Sequence, residues 1–192
     1  MSVNYYNQNA ETYFAATVDA NVQELRSKFL AKVRVGGEIL DAGCGSGRDA
    51  LAFHNAGYCV TAFDASPEMC RLAHQYTQLP ILQMTFRDLT SHSAFDGIWA
   101  CASLLHVPRS ELNDVLRSLV AALRPHGALY VSFKHGTADR VIGGRHFTDM
   151  TEAELRRLLG SVGLSSAQYW TSDDVRRGRA NEKWLNALAI KN

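Results

Sequence analysis

An α/β fold on a mostly parallel sheet is what this sequence predicts, and three observations carry that expectation. Short apolar runs that read as strands alternate with segments of helical periodicity along the chain. The stretch Asp41-Ala42-Gly43-Cys44-Gly45-Ser46-Gly47-Arg48-Asp49 follows the apolar run Glu38-Ile39-Leu40 and precedes a helical segment that Gly57 ends. A strand, a glycine loop and a helix opening bring backbone close to a bound ligand. Leu112, Val115, Leu116, Leu119, Val120 and Leu123 then lie on one helical face, stopped by Pro125 and Gly127, before another apolar strand.

Taken in order, residues 4–19 are rich in Tyr, Asn, Ala and Thr. They read either as a surface arm packing its aromatics on the body or as a lid, with Tyr5, Tyr6 and Tyr13 as contacts. Val22, Leu25, Phe29, Leu30 and Val33 share a helical face that Gly36-Gly37 closes. After the glycine loop comes a second strand, Tyr58 to Phe63, ending in Asp64. Ser66-Pro67 starts the next helix, with serine as cap and proline in the first turn. Ile81 to Thr85 is a third strand, leading into Phe86-Arg87-Asp88-Leu89, and Phe95 to Cys101 is a fourth. Ala128 to Phe133 is a fifth, with Lys134 and His135 at its carboxyl end. Gly136 to Met150 reads as a polar loop able to shape a pocket through Arg145. Thr151-Glu152-Ala153-Glu154 is a capping box. Ser165 to Thr171 and Lys183 to Ile190 are the last two strands. The charge run from Ser172 to Glu182 between them reads as a solvated loop, with an arginine contact to an acceptor anion as the alternative.

The glycine loop distinguishes between ligands. A dinucleotide fingerprint is G-x-G-x-x-G; here the third glycine stands one place early, at Gly47, with Arg48 in its stead. Asp41, just before the first glycine, would repel a pyrophosphate and suits a ligand with an ammonium group. These differences point away from NAD and toward S-adenosylmethionine.

On Ile39 to Gly47 and Val60-Thr61-Ala62-Phe63-Asp64 the chain resembles the class I S-adenosylmethionine-dependent methyltransferases. Within them it is most similar to the small bacterial tellurite-resistance-type enzymes, through the Gly-Cys-Gly-x-Gly-Arg loop and the segment Gly57 to Asp64. The resemblance implies a Rossmann-like three-layer sandwich, with a seven-stranded, mostly parallel sheet and an antiparallel C-terminal hairpin. It implies a single domain over 1–192: an N-terminal helical lid at 1–35 and a cofactor-binding core at 36–192. It assigns S-adenosylmethionine as cofactor, held by Asp41, Gly43, Cys44, Gly45, Gly47 and Arg48. Asp64 takes the ribose hydroxyls, Ala65 and Ser66 flank the adenosine, and Asp88 and Leu89 meet the adenine. For Arg48 a surface salt bridge stands equal to a contact with the cofactor carboxylate.

Ligands in open α/β sheets bind beyond the carboxyl ends of strands. That sets Cys101 near the transferred methyl group as a small residue leaving room, and makes His106 the general-base candidate, against a histidine that only packs locally. Tyr5, Tyr6, Lys134, Arg145 and Trp184 are the expected acceptor contacts.

The formal net charge of +1 gives no global footprint for nucleic acid. No signal peptide, membrane-length apolar run or metal-ligand cysteine spacing is seen, so a reduced, cytoplasmic protein without a metal site is expected. The expected activity is methyl transfer to a small-molecule acceptor. The competing readings are a tRNA nucleoside methyltransferase, a nicotinamide-dependent oxidoreductase and a non-catalytic S-adenosylmethionine-binding protein. The acceptor and the oligomeric state are not legible.

Overall fold

A computed structural model describes residues 2–176 and 182–192. One sheet organises it, in the order β3-β2-β1-β4-β5-β9-β8. The first five strands are parallel: β1 (Glu38–Ala42), β2 (Cys59–Asp64), β3 (Ile81–Gln83), β4 (Phe95–Ala100) and β5 (Leu123–Lys134). β9 (Lys183–Ile190) runs antiparallel to β5, and β8 (Ala167–Asp173) antiparallel to β9. The expected seven-stranded sheet with its C-terminal hairpin is therefore present.

Side chains alternate across a strand, so adjacent residues serve opposite layers. Leu40 and Ile98 belong to the core under α6 (Leu112–Ala122) and α7 (Glu152–Ser161). Ile39 and Trp99 belong to the opposite core, with Phe29 of α3 (Gln23–Leu30) and Phe53 of α4 (Arg48–Asn55). Both faces are covered, which is why the central strands are apolar throughout. Trp99 is wholly buried, stacked on Tyr130 at 4.0 Å and 15°.

α5 (Pro67–Thr77) begins as the sequence indicates: Ser66 Oγ accepts from the Met69 amide, with proline in the first turn. The Thr151–Glu154 capping box is formed at the start of α7. Residues 2–17 form two helices, α1 (Ser2–Gln8) and α2 (Ala10–Thr17), which dock Tyr6, Tyr13 and Phe14 on Met69 and Leu72 of α5. α3 differs from them, since Phe29 and Val33 are core residues of the main body.

Two expectations are corrected. Gly136–Met150 is not a polar loop but carries a hairpin, β6 (Asp139–Ile142) with β7 (Arg145–Thr148). Gly143 and Gly144 have φ of +57° and +80°, the pair of positive values that a tight two-residue hairpin turn requires. β5 also begins at Leu123 rather than Ala128: Leu123 pairs with Phe95, and a register shift follows before Ala128 meets Gly97. Among the described residues no helix is long and apolar enough to cross a membrane.

Candidate active site

The site forms at the carboxyl ends of β1, β4 and β5, under α1 and α2. A cleft of about 1330 Å³ opens there, lined among others by Tyr6, Tyr13, Asp41, Gly43, Cys44, Gly45, Arg48, Cys101, His106 and Arg145. Ligand pockets for one drug-sized molecule span roughly 300–1,000 Å³, so this cleft is larger than that range.

Asp41 is the penultimate residue of β1, between Ala62 and Trp99 of its neighbours, and is 3% exposed. Its Oδ2 is buried without a hydrogen-bond partner. Burial, and then the nearby Asp49 carboxylate, push its pKa well up. A buried acceptor without a donor is costly, and a cationic donor in the cleft relieves it.

The loop after Asp41 is held by β2: the Gly43 and Cys44 amides both donate to the Phe63 carbonyl, at 3.0 and 2.8 Å. Gly43 has φ +80°, and a Cβ there would stand 2.6 Å from the Ser103 Cβ. Ser103 is fixed by donating its hydroxyl to the Ala42 carbonyl at 2.7 Å. Asp64 secures the far side of the loop, with Oδ2 accepting from the Gly45 amide at 3.0 Å and Oδ1 from the Ser66 amide at 2.9 Å. Burial raises its pKa against the opposing pull of these amides. With the Ala65 amide also acting on this carboxyl, acceptor capacity remains out of the carboxylate's roughly four sites. Ser66 Oγ also donates to Asn7 Oδ1 at 2.6 Å, joining α5 to α1.

Arg48 makes a salt bridge, and a partly buried one. Its Nε and Nη2 grip both oxygens of Asp49, at 3.0 and 2.6 Å, and Nη1 donates to the Thr17 carbonyl at 3.3 Å. Asp49 also accepts from Arg26 at 2.8 Å and from the Trp99 indole at 2.9 Å. Burial alone would raise the Asp49 pKa, but the two guanidinium groups outweigh it and lower it. Residues 49 and 99 gave no sign of this partnership in sequence.

The turn Leu104–His106 presents His106 to the cleft. Its Nδ1 lies 2.7 Å from the His146 carbonyl, which only accepts, so Nδ1 carries the proton. Its Nε2 accordingly accepts from the Tyr6 hydroxyl at 2.6 Å. Burial, aided by the charge of Arg145, lowers the His106 pKa to about 4. His106 is thus neutral at pH 7 with both nitrogens engaged. Ahead of it, Ala102 adopts φ +54°, a strained value for a side chain with a Cβ, held by its amide donating to Ser132 Oγ at 2.8 Å. Cys101 beside it is a protonated thiol, burial pushing it up to about 12.

Lys134 is not a solvated rim charge. It is 6% exposed, donates to Asp174 at 2.8 Å, pairs with Glu182 and lies 4.0 Å from the Trp184 ring. Asp174 is also gripped by Arg176. Burial acts to raise the Asp174 pKa, but these two cations hold it well below the usual carboxylate range. The start of the charge run is therefore a buried ion-pair cluster; residues 177–181 lie outside the described residues. Arg145 lines the cleft from β7, 4.3 Å from the Tyr5 ring, while Tyr5 packs edge-on against Tyr6. Asp88 and Leu89 do not line the cleft. Asp88 is exposed and its Oδ2 caps a short turn through the Thr85 amide and hydroxyl, and Leu89 is in the core. No group of three or more His, Cys, Asp or Glu among the described residues is placed to hold a metal.

Residues 39–127 match a family described as "Methyltransferase domain". The chain is 30% identical over 161 residues to the 2-heptyl-1-hydroxyquinolin-4(1H)-one methyltransferase of Mycobacteroides abscessus, covering 79% of this chain and 66% of that protein. It is 31% identical over 172 residues to the ubiquinone biosynthesis O-methyltransferase of Xanthomonas campestris pv. campestris, covering 81% and 71%. It thus spans about two thirds of the length of these curated relatives. The crystal structure of Burkholderia thailandensis 1,6-didemethyltoxoflavin-N1-methyltransferase, with bound 1,6-didemethyltoxoflavin and S-adenosylhomocysteine, superimposes with a TM-score of 0.75. That pair is 25% identical, over 99% of this chain and 85% of the other. None of these relatives carries the narrower likeness to tellurite-resistance enzymes, which rests on the resemblance of loop and second strand alone. With its sheet order, its glycine loop beneath a wide cleft and these relatives, the chain belongs to the class I S-adenosylmethionine-dependent methyltransferases.

Proposed function

We propose that this enzyme transfers a methyl group from S-adenosylmethionine to a small, flat ring compound. The observation that carries this reading is the buried, unpartnered Oδ2 of Asp41 at the floor of the glycine loop. An ammonium group supplies the donor it lacks, and a pyrophosphate does not. The remaining lone pairs of Asp64 suit ribose hydroxyls. Gly43, Cys44 and Gly45 form the backbone cradle that lines the cleft, whereas Gly47, Asp64, Ala65 and Ser66 do not line it. Arg48 is committed to Asp49 and shapes the cradle from behind.

When bound, the cofactor supplies an activated methyl group on a sulfonium. The chain's own work is positioning and exclusion of water, an effect that reaches roughly 7–11 kcal/mol in well-oriented reactions. α1 and α2 act as the lid, latched by Tyr6 on His106, Asn7 on Ser66, and the His146 amide donating to Ser2 Oγ at 3.0 Å. His106 fixes the Tyr6 hydroxyl and so serves as a positioning residue. Tyr5, Tyr6, Arg145 and Trp184 surround the acceptor, with Lys134 stiffening the wall behind Trp184. A ring-shaped acceptor is supported by the aromatic lining, and by the quinolinone and toxoflavin chemistry in the names of two relatives.

Calorimetric titration with S-adenosylmethionine, S-adenosylhomocysteine and NAD tests the reading. Micromolar binding of the two adenosyl compounds and none of NAD is expected. Binding of NAD alone sinks it.

A further inference from the structure

The cationic side chains around the cleft are satisfied in a pattern with one exception. Arg48 grips Asp49, Arg140 donates to Asp149 at 2.7 Å, Arg176 grips Asp174, and Lys134 holds Asp174 and Glu182. Arg145 pairs with no carboxylate among the described residues, and its Nε is buried without a hydrogen-bond partner. Its guanidinium is flanked by rings, 4.3 Å from Tyr5 and 5.1 Å from Phe147. It lies beside the Tyr6 hydroxyl and its charge acts on both Tyr6 and His106.

A methyl acceptor that reacts through a ring hydroxyl must lose its proton. The nearest conventional base, His106, has Nδ1 bound to the His146 carbonyl and Nε2 filled by Tyr6. A half-buried cation with planar, forked donors, a buried Nε and no carboxylate partner among the described residues has the opposite character: it stabilises an ionised oxygen. Phe147, which lines the cleft beside Arg145, adds a wall on which a flat acceptor stacks.

We infer that the acceptor is a flat ring compound bound as its oxygen anion, and that Arg145 is the residue that recognises that ionised oxygen beside Tyr6. This rests on the methyltransferase reading above and names the acceptor's chemical class and charge state. The hydroxyl proton leaves to solvent on binding. The oxygen lone pair then forms the O–C bond as the methyl carbon's bond to sulfur breaks, that electron pair staying on sulfur. Neither proton nor electrons pass through His106.

The test uses 4-nitrocatechol, 4-nitrophenol and 4-hydroxyquinoline, whose absorbance reports ionisation. Each is titrated into the enzyme saturated with S-adenosylhomocysteine, so no turnover occurs. An opposite charge at close range lowers an acid's pKa by about 1–3 units. The expected result is at least one probe bound as its anion, its ionisation midpoint lowered by that amount, with the shift lost in Arg145→Met and partly kept in Arg145→Lys. The lysine variant and a thermal melt of each protein separate loss of recognition from loss of fold. Binding of every probe in neutral form, a full shift in Arg145→Met, or no binding by any probe overturns the inference. Failure of S-adenosylhomocysteine itself to bind strikes the cofactor-site reading instead, so the two failures are distinguishable.

Discussion

Tyr6 and His106, a hundred positions apart in the chain, share a 2.6 Å hydrogen bond in which the phenol donates to the imidazole Nε2. The bond joins α1 to the turn beyond β4, and its direction is fixed by the His146 carbonyl on the other ring nitrogen. Tyr6 is packed edge-on against Tyr13 at 4.8 Å as well, so the hydroxyl has little freedom.

Removing that hydroxyl leaves the imidazole acceptor bare while keeping the ring. Tyr6→Phe is expected to cost roughly 1 kcal/mol of docking for α1, the net worth of an ordinary hydrogen bond. Hydrogen exchange across residues 2–17 should accelerate about fivefold, and S-adenosylhomocysteine should dissociate faster in stopped-flow measurements. Unaltered exchange in that segment contradicts the latch.

The pH dependence of stability follows from His106. Its folded pKa of about 4 lies below the ordinary imidazole value of about 6.5, so between those values the unfolded chain binds the extra proton. The stability it contributes is present in full above pH 6.5 and is lost as pH falls toward 4. A shift of that size corresponds to about 3 kcal/mol. His106→Gln should flatten the fall in thermal midpoint over this window relative to wild type. An imidazole titrating near 6.5 by NMR contradicts the assignment.

Asp41 predicts a trade between stability and binding. Burial raises its folded pKa, so its stabilising contribution belongs to low pH and is lost as pH rises through the folded value. Asp41→Asn removes the buried ionisable group. It should raise the thermal midpoint of the ligand-free protein at pH 7.5 and weaken S-adenosylmethionine binding at least tenfold, or about 1.4 kcal/mol. Calorimetry and differential scanning on the same samples check both; unchanged affinity removes Asp41 from the ammonium site.

Lys134 sits in a buried cluster whose second cation, Arg176, is partly redundant with it. Breaking a buried pair by deleting one partner costs about 3–5 kcal/mol when the other charge is left alone. With Arg176 still on Asp174, Lys134→Met is expected near the lower end, about 3 kcal/mol by urea denaturation. The double variant Lys134→Met, Asp174→Leu should recover part of it.

Most of the sheet was legible because each buried strand has an apolar run and each helix its own punctuation, as with Ser66-Pro67 and the Thr151 capping box. The glycine loop was legible because its residues are contiguous. The β6–β7 hairpin does carry a local signal, Gly143-Gly144 between Val141-Ile142 and Arg145-His146-Phe147, but the polar residues around it give the segment the composition of a loop. The burial of Lys134 had none, because its partners Asp174 and Glu182 reach it only through the pairing of β5 with β9 and of β9 with β8. The link from Asp49 to Trp99 is hidden for the same reason, the two being fifty positions apart. Arg48 was half legible. Its pairing with Asp49 is local, but its burial depends on the Thr17 carbonyl.

The contacts of α1 also bear on the order of biosynthesis. Ser2, Tyr6 and Asn7 precede their partners in the chain, yet they rest on His146, His106 and Ser66. As the nascent chain leaves the ribosome, β1, β2 and the glycine loop emerge while the amino-terminal helices still lack their docking surface. These long sequence separations belong to the slow, non-local part of folding. The contact of Ser2 with His146 therefore waits until the β6–β7 hairpin has been synthesised.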